Sequence, residues 1–345
     1  MERNQSIQNR KAEHIRISLE EDVSGRNTTT GFEAYQFIHQ ALPEMDFNEM
    51  DMSTTFLGRT LKAPFLISSM TGGTEEAFKI NKNLAHAAEE RGWAMGLGST
   101  RAALESDSIA HTFQIRKYAP SIPIIANLGA VQLNYGYGLE ECRRIIDLTE
   151  ADALVLHLNT LQEVFQTGGN TNFKGLALKI EAICSGLDVP VGIKEVGWGI
   201  HGELTQQLEG MGASFIDVAG SGGTSWSQVE KLRASDPLLK SAAEAFADWG
   251  IPTAECIQEA RQNGYKGTLI SSGGMTSGVD TAKAIALGAD LAGFGRSLLQ
   301  DAVSSAGNLI QTFSRMELEL RIAMFGIGAR TLTDLRNTPH LRKRQ

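Results

Sequence analysis

Eight short apolar runs spread along the chain constrain its fold more than any other feature. They are residues 64–69, 93–98, 123–127, 153–158, 190–194, 215–219, 268–272 and 291–295. Each is nearly continuous in hydrophobicity. A strand with one wet face alternates apolar and polar residues; a parallel strand covered on both faces does not. Between the runs lie segments of helical period, at 81–92, 139–149, 173–186, 201–212 and 277–288, several of them ending in glycine. Strand, helix and strand in this rhythm mean βαβ units. Eight such units close most simply into a (β/α)₈ barrel, with an open doubly wound sheet as the alternative.

The chain has 345 residues. A barrel needs about 250, which leaves an N-terminal extension over 1–60, a barrel over about 61–330, and room for an insertion. Residues 226–264 exceed what one helix requires. They read as an insertion between strands six and seven, broken by Pro237 and Pro252. A hydrophobic fraction of 42% and a charged fraction of 21% suit one large core, so 1–345 reads as a single domain. The net charge of −8 argues against a nucleic-acid or anionic-membrane partner. No stretch approaches the roughly 18 apolar residues of a membrane span, and the N-terminus is too polar for a secretory signal. Cys142, Cys184 and Cys256 lie far apart and form no CxxC pair, so a cytoplasmic location is expected, with each thiol a small buried residue. Arg342-Lys343-Arg344 reads as a frayed tail.

In a barrel the ligand site lies at the C-terminal ends of the strands, and those ends can be read directly. Ser69, Met70 and Thr71 follow strand one, and Ser99, Thr100 and Arg101 follow strand two. Asn127 ends strand three. Gly273 and Gly274 follow strand seven, and Gly295 and Arg296 follow strand eight. Glycine lets backbone N–H groups approach an anion, and a helix N-terminus behind it favours negative charge, so these two pairs predict a phosphate site. The run 220–224, ending in Thr224, can close it. Lys194 ends an apolar strand, where an ammonium is costly without a partner. An electron-rich flavin edge, a Schiff base or an ion pair with Glu195 would each supply one.

His157 and Asn159 alternate on strand four and face one side, with Gln162 and Glu163 just beyond. A single carboxylate in such a set suits Mg²⁺ completed by water and phosphate oxygens. Zinc would want three nitrogen or sulfur ligands. Near the N-terminus Arg10, Lys11 and His14 share one face of a helix and could clamp a diphosphate, with Arg101 as a fourth donor.

Taken together, the motifs RKAEH, MTGG, GSTR, HLNTLQE, GGTSW, SGGMTSGVDTAKAIALGAD and GFGR, with the strand-five lysine, resemble the type 2, FMN-dependent isopentenyl-diphosphate isomerases over nearly the whole chain. That resemblance implies interconversion of isopentenyl and dimethylallyl diphosphate with reduced FMN, Mg²⁺, and NADPH as reductant. No net redox change results. It implies that Ser69, Met70, Thr71, Ser99, Asn127, Lys194 and Thr224 line the flavin. Gly273, Gly274, Met275, Gly295 and Arg296 would hold its phosphate side. Arg10, Lys11, His14, Ser99, Thr100, Arg101, Asn159 and Gln162 would bind substrate, and Glu163 would ligate Mg²⁺. His157, Gln162 and Lys194 would serve catalysis, with Gln162 positioning or relaying and the flavin as main acid and base. Trp226 and Glu230 match a further stretch near the site. The family also implies a homo-oligomer, a tetramer or octamer. Met275-Thr276 stands where some members carry Arg or Lys, which weakens side-chain contacts to phosphate but not backbone ones.

Three rivals share the barrel. A 2-hydroxyacid oxidase resembles its family in an HGGR stretch after strand six, where this chain has Ser221-Gly222-Gly223-Thr224 and lacks both base and clamp. An IMP-dehydrogenase-like enzyme needs a cysteine in the strand-six loop, which holds none. A non-catalytic binding barrel would not need polar groups at so many strand ends.

Overall fold

The eight apolar runs form eight parallel strands in a computed structural model that describes residues 2–344. Ahead of them come α1 (Glu2–Glu20), β1 (Tyr35–Phe37) and a hairpin of β2 (Thr54–Phe56) and β3 (Arg59–Leu61). The barrel strands are β4 (Phe65–Ile67), β5 (Ala94–Gly96), β6 (Ile124–Gly129), β7 (Ala153–His157), β8 (Val191–Lys194), β9 (Phe215–Asp217), β10 (Thr268–Ser271) and β11 (Leu291–Phe294). Each pairs with its neighbour in sequence, and β11 pairs with β4 to close the ring. The doubly wound alternative is thereby excluded.

Helices alternate with the strands. They are α2 (Glu75–Arg91), α3 (Arg101–Glu105), α4 (Leu139–Thr149), α5 (Thr160–Phe165), α6 (Leu176–Gly186) and α7 (Gly202–Gly210). Then follow α8 (Trp226–Arg233), α9 (Pro237–Glu244), α10 (Thr253–Gln262), α11 (Gly278–Leu287), α12 (Arg296–Ser304), α13 (Ala306–Gly326) and α14 (Leu332–Arg336). Local chemistry sets their ends. In α2 the Thr74 hydroxyl accepts from Ala77 N–H, and Gly92 at φ +71° closes the last turn. The insertion lies between strands six and seven as expected, but its prolines begin helices rather than break them. Pro237 is the first residue of α9, and Pro252 caps α10. Helix α10 is the regular barrel helix; α8 and α9 are the added elements.

Two apolar layers result. The barrel interior packs Leu66, Ile125, Val155, Phe215, Ile270 and Leu291, and the hairpin adds Phe56 and Leu61 as a plug. Phe56 meets Phe215 edge to face at 5.5 Å between ring centres. Gly192 makes room for that phenylalanine: a Cβ there would lie 2.1 Å from its ring. The larger layer lies between the strands and the helices around them. With its N-terminal end plugged, the barrel opens where the strands finish.

The C-terminal residues are not a frayed tail. Leu341–Lys343 forms β12, antiparallel to β1, and Arg344 N–H donates to Ala34 O at 2.7 Å. Tyr35 and Leu341 pack on the main core, so a three-residue basic strand is fixed by its apolar neighbours. Among the described residues no helix is long and apolar enough to cross a membrane.

Candidate active site

One cavity of about 560 Å³ opens at the C-terminal ends of the barrel strands. Ligand pockets commonly run from about 300 to 1,000 Å³, so there is room for a cofactor and a small substrate together. Helix α1 forms part of its wall, with Arg10, Lys11, His14, Ile15 and Ser18 on the exposed inner face. This is the helical spacing expected for residues 10, 11 and 14. Ile17 and Val23 pack on Val229 and Trp226, which docks α1 against α8.

The cations on α1 are held tightly. Lys11 Nζ donates to Ser99 O at 3.1 Å and stands 4.8 Å from the centre of the Phe113 ring. Burial, then Arg10 and Arg101, pull its pKa down to about 7. Arg10 is lowered by the same burial and by Arg101. His14 Nε2 lies 2.9 Å from Glu230 Oε1, and Glu230 Oε2 accepts from Arg233 at 2.5 Å. Burial lowers the His14 pKa, with Glu230 opposing it. Glu230 is almost wholly buried and does not line the cavity: it anchors His14. Trp226 does line it and stands edge-on to His14, 5.2 Å between ring centres.

On the opposite wall His157 Nδ1 donates to Asn127 Oδ1 at 2.7 Å, which leaves Nε2 as an acceptor. Desolvation, with Lys194 and Arg101 nearby, pushes the His157 pKa to about 3. Asn159 Nδ2 donates to Gln162 Oε1 at 3.2 Å and to Glu163 Oε1 at 3.0 Å. The other Glu163 oxygen accepts from Asn170 N–H at 2.6 Å. Asn159 Oδ1 is buried without a hydrogen-bond partner, an acceptor left for a ligand or a cation's water. No group of three His, Cys, Asp or Glu clusters here among the described residues. A cation beside Glu163 would thus draw its remaining oxygens from outside the protein.

Lys194 is buried and donates to Glu195 O at 2.5 Å. The Glu195 carboxylate is engaged elsewhere: its Oε2 accepts backbone N–H groups of Val196, Gly197, Trp198 and Gly199, shaping the following loop. Desolvation lifts the Glu195 pKa to about 7. The Lys194 ammonium acts on both buried acids near it, Glu195 and Asp217, the latter its register partner on β9. Asp217 accepts from Ser272 Oγ at 2.5 Å, and burial raises its pKa. Asp217 was absent from the expected set, although an acid inside an apolar run carries the same signal as Lys194.

The strand-seven turn presents backbone. Gly273 and Gly274 have φ of +100° and +74°, a region open to glycine. A Cβ on Gly273 would lie 2.1 Å from Gly220 O. Thr253 Oγ1 donates to Gly273 O at 2.7 Å and fixes the turn. Thr224 and Gly295 line the same end, and Ser68 Oγ is buried there without a partner. An open glycine cradle beside an unspent hydroxyl fits an anionic phosphate group. Ser69, Met70, Thr71, Ser99, Asn127 and Met275 also line the cavity, as does Arg101. Thr100 does not. It is completely buried, and its Oγ1 donates to Gly98 O at 3.4 Å, so it braces the strand-two end behind the wall. Arg296 lines the cavity, but its guanidinium hydrogen-bonds Ser18 O, Glu21 O and Ser24 Oγ at the end of α1.

The sequence profile of the FMN-dependent dehydrogenase family matches residues 3–120 and 154–343. An isopentenyl-diphosphate delta-isomerase of Oceanobacillus iheyensis is 58% identical over 332 residues, covering 96% of this chain and 95% of that one. Another, from a Nostoc species, is 52% identical over 338 residues, 98% of this chain and 97% of its own. The chain belongs to the isopentenyl-diphosphate delta-isomerase family. The profile match and the closed barrel together make it an FMN-dependent barrel protein. A solved mandelate oxidase with benzaldehyde superposes with a TM-score of 0.67 at 19% identity, covering 96% of this chain and 94% of that one. This likeness concerns the fold. In an isomerase of this family the residues at 221–224 need not carry an oxidase's base, and Ser221-Gly222-Gly223-Thr224 carries no ionisable side chain.

Proposed function

We propose that this chain interconverts isopentenyl diphosphate and dimethylallyl diphosphate, with FMN seated in the strand-seven and strand-eight cradle. The observation that carries the reading is that one cavity is lined by two kinds of anion grip: glycine backbone after strands seven and eight, and Arg10, Lys11 and His14 with Arg101. Two phosphate-bearing molecules fit a cavity that holds both.

Gly273, Gly274 and Gly295 would hold the FMN phosphate through backbone N–H groups. Ser69, Met70, Thr71, Ser99, Asn127 and Thr224 would line its ring, and Met275 would pack behind the cradle. When bound, reduced FMN supplies an electron-rich ring whose N5 can carry a proton. Lys194 would hold positive charge beside that ring, itself balanced by Asp217 beneath. The α1 cations and Arg101 would fix the diphosphate. Glu163, with Asn159 steadying it, would hold Mg²⁺ against the same diphosphate. Gln162 is not a titrating acid, so its part is to orient the alkene or relay a hydrogen bond. His157 is neutral well below pH 7, and its Nε2 offers a hydrogen-bond acceptor rather than an acidic proton. Trp226 and the docked α1 would keep bulk water from the reacting carbons.

Resemblance to the family also supports NADPH as reductant, a cytoplasmic location and a homo-oligomer of four or eight subunits. The testing experiment is an anaerobic assay with isopentenyl diphosphate, Mg²⁺, FMN and NADPH, repeated with each omitted. Dimethylallyl diphosphate should form only with the complete set. Turnover without flavin, or lactate oxidation with release of hydrogen peroxide, would refute it.

A further inference from the structure

Helix α1 ends badly by its own sequence. Its last turn contains no basic residue, while Glu20, Glu21 and Asp22 put negative charge where the helix dipole is already negative. The final carbonyls of a helix need donors from elsewhere. Glu21 N–H serves Ile17 O. Ser18 O receives its donor from Arg296 Nε at 3.0 Å, a residue 278 positions away. The same guanidinium donates through Nη2 to Glu21 O at 2.9 Å and through Nη1 to Ser24 Oγ at 3.3 Å. One planar fork thus spans the helix end and the turn after it, which a lysine could not do.

The segment that follows is pinned as well. Ser225 N–H donates to Val23 O at 2.7 Å, and Ser24 bridges Thr224. The exit of α1 is therefore held between the strand-six loop and the first residue of α12, the loops that build the glycine cradle. Two and three turns back along the same helix face stand His14, Lys11 and Arg10.

We propose that Arg296 is a positioning residue for substrate: by clamping the end of α1 it sets Arg10, Lys11 and His14 at the diphosphate end of the cavity. Its side chain serves the helix, while the backbone around Gly295 serves the cradle. The inference rests on α1 binding the diphosphate, as argued above.

The test uses FMN-loaded enzyme and three variants: Arg296→Ala, Arg296→Lys and Arg296→Gln. Hydrogen exchange over residues 10–22 reads the clamp without reference to turnover. Steady-state kinetics read KM and kcat, and flavin fluorescence reads the FMN Kd. Arg296→Ala should speed exchange over 10–22 at least tenfold. It should raise KM for isopentenyl diphosphate about tenfold, with kcat and FMN Kd each within about threefold. Arg296→Lys and Arg296→Gln should fall between, and they carry the test if the alanine variant fails to fold. Unchanged exchange in all three would overturn the clamp. So would loss of FMN with KM intact, which would return the guanidinium to the cofactor phosphate. Faster exchange with unchanged KM would leave the clamp and overturn the assignment of α1 to the diphosphate.

Discussion

Lys11 makes the site's charge depend on pH in a range where activity is easily measured. In the free site its ammonium is held to a pKa of about 7 by burial beside Arg10 and Arg101, with Glu105 opposing. A diphosphate brought against it restores the protonated form. Binding above pH 7 must then take up a proton, and the affinity falls as that proton grows scarce. For one group with a free-state pKa near 7, linkage gives about an eightfold rise in Kd between pH 7.5 and 8.5, and about 25-fold by pH 9. Below pH 7 the dependence on Lys11 flattens, because the ammonium is already present. The window above 7.5 also avoids the last ionisation of a phosphate, near pH 6. His14 and His157, both lowered by burial, stay neutral across it. The assay is titration calorimetry of isopentenyl diphosphate into enzyme with oxidised flavin and Mg²⁺, so that nothing turns over. Buffers of two ionisation enthalpies count the protons. Lys11→Met should bind more weakly at pH 7 and lose most of the slope. A flat wild-type profile with no proton uptake, or an equal slope in the methionine variant, would refute the reasoning.

Three further outcomes follow from single contacts. Glu163→Gln should cut Mg²⁺-dependent turnover at least a hundredfold while FMN stays bound; flavin loss on gel filtration would contradict the assignment to the cation. Gly273→Ala meets both a φ of +100° and a carbonyl 2.1 Å from its new Cβ, so FMN affinity should drop tenfold or more by fluorescence titration, and an unchanged Kd would count against the cradle. Phe56→Ala removes the ring that plugs the barrel under Phe215, and urea unfolding should show a loss of about 3–5 kcal/mol; a loss under 1 kcal/mol would mean that the hairpin is dispensable.

Seven of the eight barrel strands fall inside the apolar runs, and β6 only runs two residues past its own, because continuous hydrophobicity in a doubly covered strand is a local property. Helix α4 was legible to the residue for a similar reason: an amphipathic stripe and a following turn lie within one segment. Residues 24–61 and the β12 strand were not. The hairpin owes its place to the open barrel end, and β12 to a strand some 300 residues earlier, so neither reveals itself in its own window. The site divides in the same way. Residues at strand ends could be read because a barrel puts its ligands there. Thr100 could not be separated from Ser99 and Arg101, since which of three consecutive residues faces inward depends on the turn. Nor could the destination of the Arg296 side chain be read, since it depends on where a helix almost 300 residues away has docked.

The direction of the pKa shifts says what kind of site the chain builds. Lys11, Arg10, His14 and His157 are all lowered, and burial is the first cause for each. The chain's own anions answer this only in part: Glu105 faces Lys11 and pairs with Arg101 at 3.6 Å, and Glu230 holds His14, yet burial outweighs them. Glu163 is tied to Asn159 and Asn170, Glu230 to His14 and Arg233, and Asp217 lies under Lys194. The deficit is negative charge, and two phosphate-bearing ligands supply it. Proton transfer makes a different demand. The histidine nearest the strand-four set sits at about 3, too acidic to keep a proton at neutral pH, and Gln162 beside it does not titrate. Under the proposed function the chain's ionisable groups hold charge in place and the flavin carries the proton, so removing the cations should raise KM, whereas disturbing the strand-five lysine and its buried aspartate should lower kcat.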